Sequence, residues 1–376
     1  MKEHYLDNSA TTQVSEAAAQ KAFELMRTKF ANPSSLHSMG FEASKELESA
    51  REITAKAIGA DVSEVYFTSG GTEANNLAIQ GAADAYRRTG NKIITSAFEH
   101  SSIHETMLYL QKQGFEVIFI QPDSTGCISA KDVIDAVDDK TILVSIMHTN
   151  NETGAINPIR EIATGAKRKN PKVIVHTDSV QAFGKTEIKV SKLFVDLLTI
   201  SSHKIHGPKG VGALYIKKGV RVLPRTFGGK QEKKIRPGTE ALPLIGAFSV
   251  AISELDVQKN TEIARELKTY LAEKLSSMDG VTIISPENSS PFILNFSVSG
   301  IRSETMLHHL AARGVYVSSG SACSKGAKSH VLSALGIEDN IADSAIRVSF
   351  CKHNTTDDCD ALIEGIREGI ENLARR

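Results

Sequence analysis

EVYFTSGGTEANNLAIQGAADAYRRTGNKIITS, residues 64–96, carries two textures in one stretch. EVYFT (64–68) and KIITS (92–96) are short runs rich in β-branched and aromatic residues, and between them apolar residues recur at helical spacing from Thr72 to Tyr86. The unit reads strand, glycine-bearing turn, helix, strand. It repeats downstream, where EVIFI (116–120), TILVSIM (141–147) and KVIVHT (172–177) alternate with helical stretches such as SSIHETMLYLQKQ and IREIATGAKRK. Short β-branched runs separated by helices predict right-handed βαβ units and a mostly parallel sheet. LLTISS (197–202) and GALYI (212–216), on either side of HKIHGPKG, bring the expected strands to seven and the fold class to α/β.

After Pro243 the texture changes. One long helical pattern is expected from there toward Met278, with Glu-to-Lys pairs at helical spacing in ELKTYLAEKLSSM. VTIIS, FILNFSVS, VYVSS and IRVSF follow as strands, with helices near SETMLHHLAARG and at DDCDALIEGIREGIENLARR. The expected division is a large α/β domain over 13–255 and a smaller α+β domain made of 1–12 and 256–376, joined by the long helix.

The whole chain of 376 residues has 44 Lys+Arg against 44 Asp+Glu, a balance that argues against a broad polyanion-binding surface and leaves room for a local anion pocket. No nucleic acid is expected as a partner. Its 41% hydrophobic content is that of a globular protein, and its length needs no disulfide or metal staple. The four cysteines, Cys127, Cys323, Cys351 and Cys359, form no C-x-x-C pair and no zinc spacing with histidine. MKEHYLDNSATT lacks the apolar stretch of a signal peptide, and no run reaches the length of a membrane span, so the expectation is a cytoplasmic protein with free thiols.

Several segments carry chemistry. In TSGGTEANN (68–76) a strand passes through glycines into a helix, where free N–H groups and the helix dipole suit an anion; an ordinary Ser/Thr-capped junction reads the same way. Neither nucleotide fingerprint, G-x-x-x-x-G-K-[ST] or G-x-G-x-x-G, is present. HTDSVQAFGK (176–185) sets Asp178 just past a strand with Gln181 three residues on, at the strand end where open α/β sheets bind ligands, though such an Asp is also a common helix cap. TISSHKIHGPKG (199–210) brings two serines, His203 and Lys204 to another strand end; a desolvated lysine there is nucleophilic toward carbonyls, whereas a solvated loop lysine is not. His100 and His104 stand four apart in EHSSIHE, but Ser101 replaces the glutamate of a zinc protease and no third ligand is evident, so no metal is expected. Cys323, in the small polar loop of VYVSSGSACSKGAKSH (315–330) with Lys325, Lys328 and His330 nearby, is the cysteine best placed to act as a thiolate.

In this order YLDNSATT, NPSSLH, TSGGTEANN, EHSS, HTNNETG, the D-x-x-Q of Asp178 and Gln181, SSHKIHGPKG, RPGT, SSGSAC and IRVSF resemble the cysteine desulfurases, the NifS/IscS-like branch of the class V aminotransferase family. The resemblance covers essentially the whole chain, including the 26-residue separation of Asp178 from Lys204. It implies pyridoxal 5'-phosphate (PLP) as cofactor and the PLP-dependent fold type I. It implies that Lys204 holds PLP as a Schiff base and moves protons. Asp178 would pair with the pyridinium nitrogen, Gln181 with the ring hydroxyl, and His100 would stack on the ring. Gly71, Thr72, Ser201 and His203 would hold the phosphate. Thr239, in RPGT, would reach the phosphate of a neighbouring subunit, which implies a homodimer. Asn151 and Arg347 would orient the substrate carboxylate. The implied reaction converts L-cysteine to L-alanine with a persulfide formed on Cys323, bound for an acceptor or scaffold protein. After Cys323 the chain runs SKGAKSHVLSALG, shorter than in many relatives and without their Glu-Pro. The rival readings are a selenocysteine lyase, another class V aminotransferase, and a non-catalytic PLP-binding regulator.

Overall fold

The computed structural model describes residues 2–123, 125–319 and 329–373. Seven strands form the main sheet, in the order Val65–Thr68, Gly212–Ile216, Leu197–Ser201, Ile174–Asp178, Thr141–Ser145, Lys92–Ser96 and Glu116–Ile120. All neighbours from Leu197–Ser201 to Glu116–Ile120 run parallel, and Gly212–Ile216 is antiparallel to both of its neighbours. The parallel strands are near-continuous apolar runs because helices cover both faces of the sheet. Leu197–Ser201, Ile174–Asp178 and Thr141–Ser145 are buried along their whole length.

The strand expected at 172–177 runs from Ile174 to Asp178. Asp178 is therefore its last residue, and the backbone on either side holds it: Ser179 N donates to Thr199 O at 3.0 Å.

The single helix expected after Pro243 is two, Leu242–Ser253 and Val257–Ser276. Asp256 makes the break by capping the second helix, its side chain accepting from Lys259 N at 3.1 Å. The first of the pair is apolar nearly all round and packs against helices Glu16–Arg27 and Ser38–Ile58. Contact is close at Gly246, where a Cβ would stand 2.3 Å from Leu25 Cδ1.

A four-stranded antiparallel sheet follows, ordered Ser318–Ser319, Ala345–Ser349, Ile293–Val298, Val281–Ile283. The strand expected at VYVSS divides at Val317: Val315–Tyr316 pairs in parallel with His4–Tyr5, and Ser318–Ser319 joins the four-stranded sheet. One apolar cluster unites Leu6 with residues between Ala264 and Ile366. The N-terminal segment crosses from there to the main sheet, where Thr12 N donates to His203 O at 2.9 Å and Ser15 N to His206 O at 2.8 Å. No helix among the described residues is long and apolar enough to cross a membrane.

Candidate active site

The carboxyl ends of the parallel strands and the facing edge of the small sheet enclose a cavity of about 360 Å³. Gly71, Thr72, His100, Asn151, Asp178, Gln181, Ser201, His203, Lys204 and Arg347 all line it. Thr239 does not; it lies exposed on the loop after Lys234. Cys323 lies outside the described residues, while Ser329, His330 and Val331 are lining residues.

One end of the cavity is built for an anion. Helix Gly71–Tyr86 begins after Gly70, whose φ of 149° suits glycine, and no side chain among the described residues caps its first N–H groups. A Cβ on Gly71 would meet Val180 Cγ2 at 3.0 Å. The hydroxyls of Ser201 and Ser202 are buried with no hydrogen-bond partner among the described residues. Unsatisfied buried hydroxyls are costly, and an acceptor-rich group at this end would satisfy that of Ser201, which lines the cavity, together with the helix N–H groups, whereas the Ser202 hydroxyl lies beside Gly207. Burial, reinforced by Lys204, pushes the His203 imidazole down to about 4, so it is neutral at physiological pH.

The middle is polar on one side and flat on the other. Asp178 receives Asn75 Nδ2 at 2.8 Å on one oxygen and Val180 N at 2.9 Å on the other. Asn75 also donates to Ser102 Oγ at 2.9 Å, and its own Oδ1 is buried without a partner among the described residues. His100 precedes helix Ser101–Lys112, and its Nδ1 accepts from Ser102 N at 3.1 Å. That contact fixes the ring and puts the proton of neutral imidazole on Nε2. Burial lowers the His100 pKa, with Asp178 opposing and Lys204 and His330 reinforcing the shift. A neutral, oriented imidazole can lie against an aromatic ring. Lys204 sends its amine to the carbonyls of Ser9 and, at 2.7 Å, Ala10. Gln181 Nε2 donates to the same Ser9 carbonyl at 2.9 Å.

The small sheet supplies the other wall. Arg347 sits on Ala345–Ser349 opposite Asn295 and Ser318. Its Nη1 donates to Asn151 O at 2.9 Å and its Nη2 to Asp7 Oδ1 at 2.8 Å, while Nε is buried without a partner among the described residues. Asn151 Oδ1 is likewise buried and unmatched among them. Glu152 accepts from Ser329 Oγ at 2.6 Å, and burial pushes its carboxyl up to about 7 against the pull of that bond and of Arg347.

Sequence reasoning passed over several residues at or behind these walls: Asp7, Ser9, Asn75, Glu99, Glu152 and Lys185. All six stand inside motifs already quoted, so proximity to the motif was the available signal; burial, which gives them their character, was not. Glu99 is fully buried, accepts from Met147 N at 2.9 Å, and is driven by burial up to about 8.

The donor set fits PLP. An anion cradle, a carboxylate, a flat imidazole, an amide and a lysine amine line one cavity of suitable size. The family model for class V aminotransferases matches residues 4–362. A protein of Dictyoglomus turgidum named cysteine desulfurase IscS is 42% identical over 99% of this chain and 95% of its own. The solved structure of a NifS-like protein superposes with a TM-score of 0.94 at 38% identity, covering 99% of this chain and 100% of that one. A structure described as SspA in complex with cysteine has a TM-score of 0.84 at 32% identity, over 94% of this chain and 100% of that one. From His4 into its last helix the chain thus follows one family: it belongs to the class V aminotransferases, in the NifS/IscS-like branch of the cysteine desulfurases.

Proposed function

We propose that this protein is a PLP-dependent cysteine desulfurase that converts L-cysteine to L-alanine and takes the substrate sulfur onto Cys323. The observation that carries this reading is the convergence of Lys204, Asp178, His100, Gln181 and Arg347 on one cavity whose far end is an uncapped helix N-terminus. When bound, PLP supplies an electron sink conjugated to the substrate Cα. Gly71, Thr72, Ser201 and His203 would hold its phosphate, Asp178 the proton on its pyridine nitrogen, Gln181 its phenol oxygen, and His100 one face of its ring. Lys204 is the attachment residue and afterwards moves a proton at the substrate Cα. Arg347 and Asn151 hold the substrate carboxylate, the arginine through the N–H groups that Asp7 and the Asn151 carbonyl leave over.

The Cys323 thiolate then attacks the substrate sulfur. An S–S bond forms, the substrate Cβ–S bond breaks, and its electron pair stays on Cβ, which takes up a proton and leaves as the methyl group of alanine. Sulfur is oxidised to the sulfane level and carbon reduced by the same two electrons, so no outside oxidant is needed. The persulfide passes to an acceptor or scaffold protein in a reducing, cytoplasmic setting. Cys127, Cys351 and Cys359 are free thiols, and burial raises the pKa of each, which makes them poorer nucleophiles.

The working unit is a homodimer in which Thr239 reaches the neighbour's phosphate. Phe23, Met26, Phe30, Leu36, Met39 and Phe41 are exposed along the first two helices and the loop between them, a patch that a second subunit would cover. Residues 13–255 form the PLP-binding domain, and 1–12 with 256–376 form the domain that brings Arg347 and Cys323. The test is PLP uptake and L-alanine release from L-cysteine by wild type and Lys204→Ala. Wild type is expected to attach PLP covalently and turn over, and the variant to do neither; a variant that kept both would overturn the assignment.

A further inference from the structure

Behind Gln181 lies a second lysine. Lys185 Nζ donates to Gln181 Oε1 at 2.9 Å, and the chamber around it is small, about 20 Å³, with Thr12, Lys204, Phe292 and Cys351 among its walls. Its ammonium stands 5.8 Å from the centre of the Phe292 ring. Burial pushes this amine down to about 7; Lys204 and Arg347 push the same way, and Cys351 opposes them. His206 and Lys352 complete the titratable groups that face the chamber.

A primary amide has ends of opposite polarity, and its orientation is settled by what each end meets. Here the two ends agree. The Ser9 carbonyl can only accept, and it takes Gln181 Nε2; the Lys185 amine donates to Oε1 whether or not it carries its extra proton. With the carbonyl occupied and one amide hydrogen spent on Ser9, the remaining amide hydrogen is what Gln181 has for the cavity that it lines. A donor bonded to the carbonyl also polarises the amide and strengthens that hydrogen as a donor.

We propose that Lys185 is a positioning residue that makes Gln181 a donor toward the phenol oxygen of PLP, so favouring the ionised phenolate. This rests on the reading that PLP attaches to Lys204. A donor fixed on the phenolate stabilises the deprotonated form of the lysine-bound cofactor and lowers the pH at which its visible absorbance changes. Without Lys185, Gln181 Oε1 loses the donor that holds it away from the cavity, which frees the carbonyl to turn toward the cavity and weakens the bond.

The experiment is a pH titration of the visible absorbance of the PLP-loaded protein, for wild type, Lys185→Met, Gln181→Leu and the double variant. Lys185→Met and Gln181→Leu are each expected to raise the midpoint by about one pH unit, the equivalent of one hydrogen bond to a charged oxygen. The double variant is expected to match Gln181→Leu alone, because Lys185 acts through that amide. Lys185→Gln, whose shorter side chain falls short of Gln181, is measured beside Lys185→Met with the same expectation, so a folding defect in one does not decide the matter. A wild-type midpoint in the lysine variants would overturn the proposal. So would a full shift on adding Lys185→Met to Gln181→Leu, the mark of a simple charge effect. A wild-type chain that bound no PLP would instead overturn the parent reading together with this one.

Discussion

Arg347 reaches the cavity with its two terminal nitrogens each already holding an acceptor, Asn151 O and Asp7 Oδ1. The fork is thereby aimed before any substrate arrives, and three of its five N–H groups remain. Lysine in its place would keep the charge and lose the fork. Arg347→Lys is expected to raise KM for L-cysteine by about 10- to 100-fold, the worth of a charged hydrogen bond, which initial-rate kinetics would measure. Glu152 supplies a pH dependence at the same wall. Its carboxyl is raised by burial to about 7, so it is neutral below that pH and charged above it. As it ionises it competes with the substrate carboxylate for Arg347, and KM should climb as pH rises through 7. Glu152→Gln should flatten that climb while the wild type shows it; parallel profiles would refute the coupling.

At the scale of elements, the break at 254–256 is the feature most open to test. Asp256 caps helix Val257–Ser276 through Lys259 N, and Asp256→Ala is expected to cost about 1 kcal/mol of stability, read from denaturant unfolding. The strands KIITS, EVIFI and GALYI were legible to the residue, because each is a short run dominated by apolar residues and bounded by turns. The two helices were not separable, since apolar periodicity runs through both and a lone aspartate looks like any other polar residue. The division of VYVSS at Val317 was hidden for a different reason: its halves pair with partners from opposite ends of the chain, His4–Tyr5 and Ala345–Ser349. The site followed the same rule. Asp178, Lys204 and His100 stand beside glycines, turns or paired polar residues that mark them. Glu99 and Lys185 owe their character to burial that only the assembled sheets create.

Across the whole molecule, buried neutral histidines set the acid limit. Burial holds His148 and His206 down to about 4 and His176 to about 3, far below an unfolded histidine near 6.5. Folded pKa values depressed in this way give stability that is present above pH 6.5 and lost as pH falls through 4, because the unfolded chain binds the protons more readily. Glu99 acts on the other side. Its raised value of about 8 gives stability that is complete below the usual carboxylate range and lost as pH rises through 8. Thermal unfolding of the PLP-free chain should therefore show a Tm maximum between these limits, and Glu99→Gln should lose less Tm than wild type on the alkaline side. A Tm that kept rising toward pH 4 would contradict this. Assembly belongs to this scale too: on the proposed homodimer, with Thr239 reaching across subunits, Phe30→Asp with Phe41→Asp should yield a monomer in size-exclusion chromatography and weaken PLP binding. The central claim is that one cysteine takes the sulfur. Mass spectrometry of the PLP-loaded protein after one equivalent of L-cysteine, with alanine counted in the same sample, tests it directly. The account predicts one added sulfur atom on the peptide containing Cys323 for each alanine formed; alanine without that sulfur, or sulfur on Cys127, Cys351 or Cys359 instead, would contradict it.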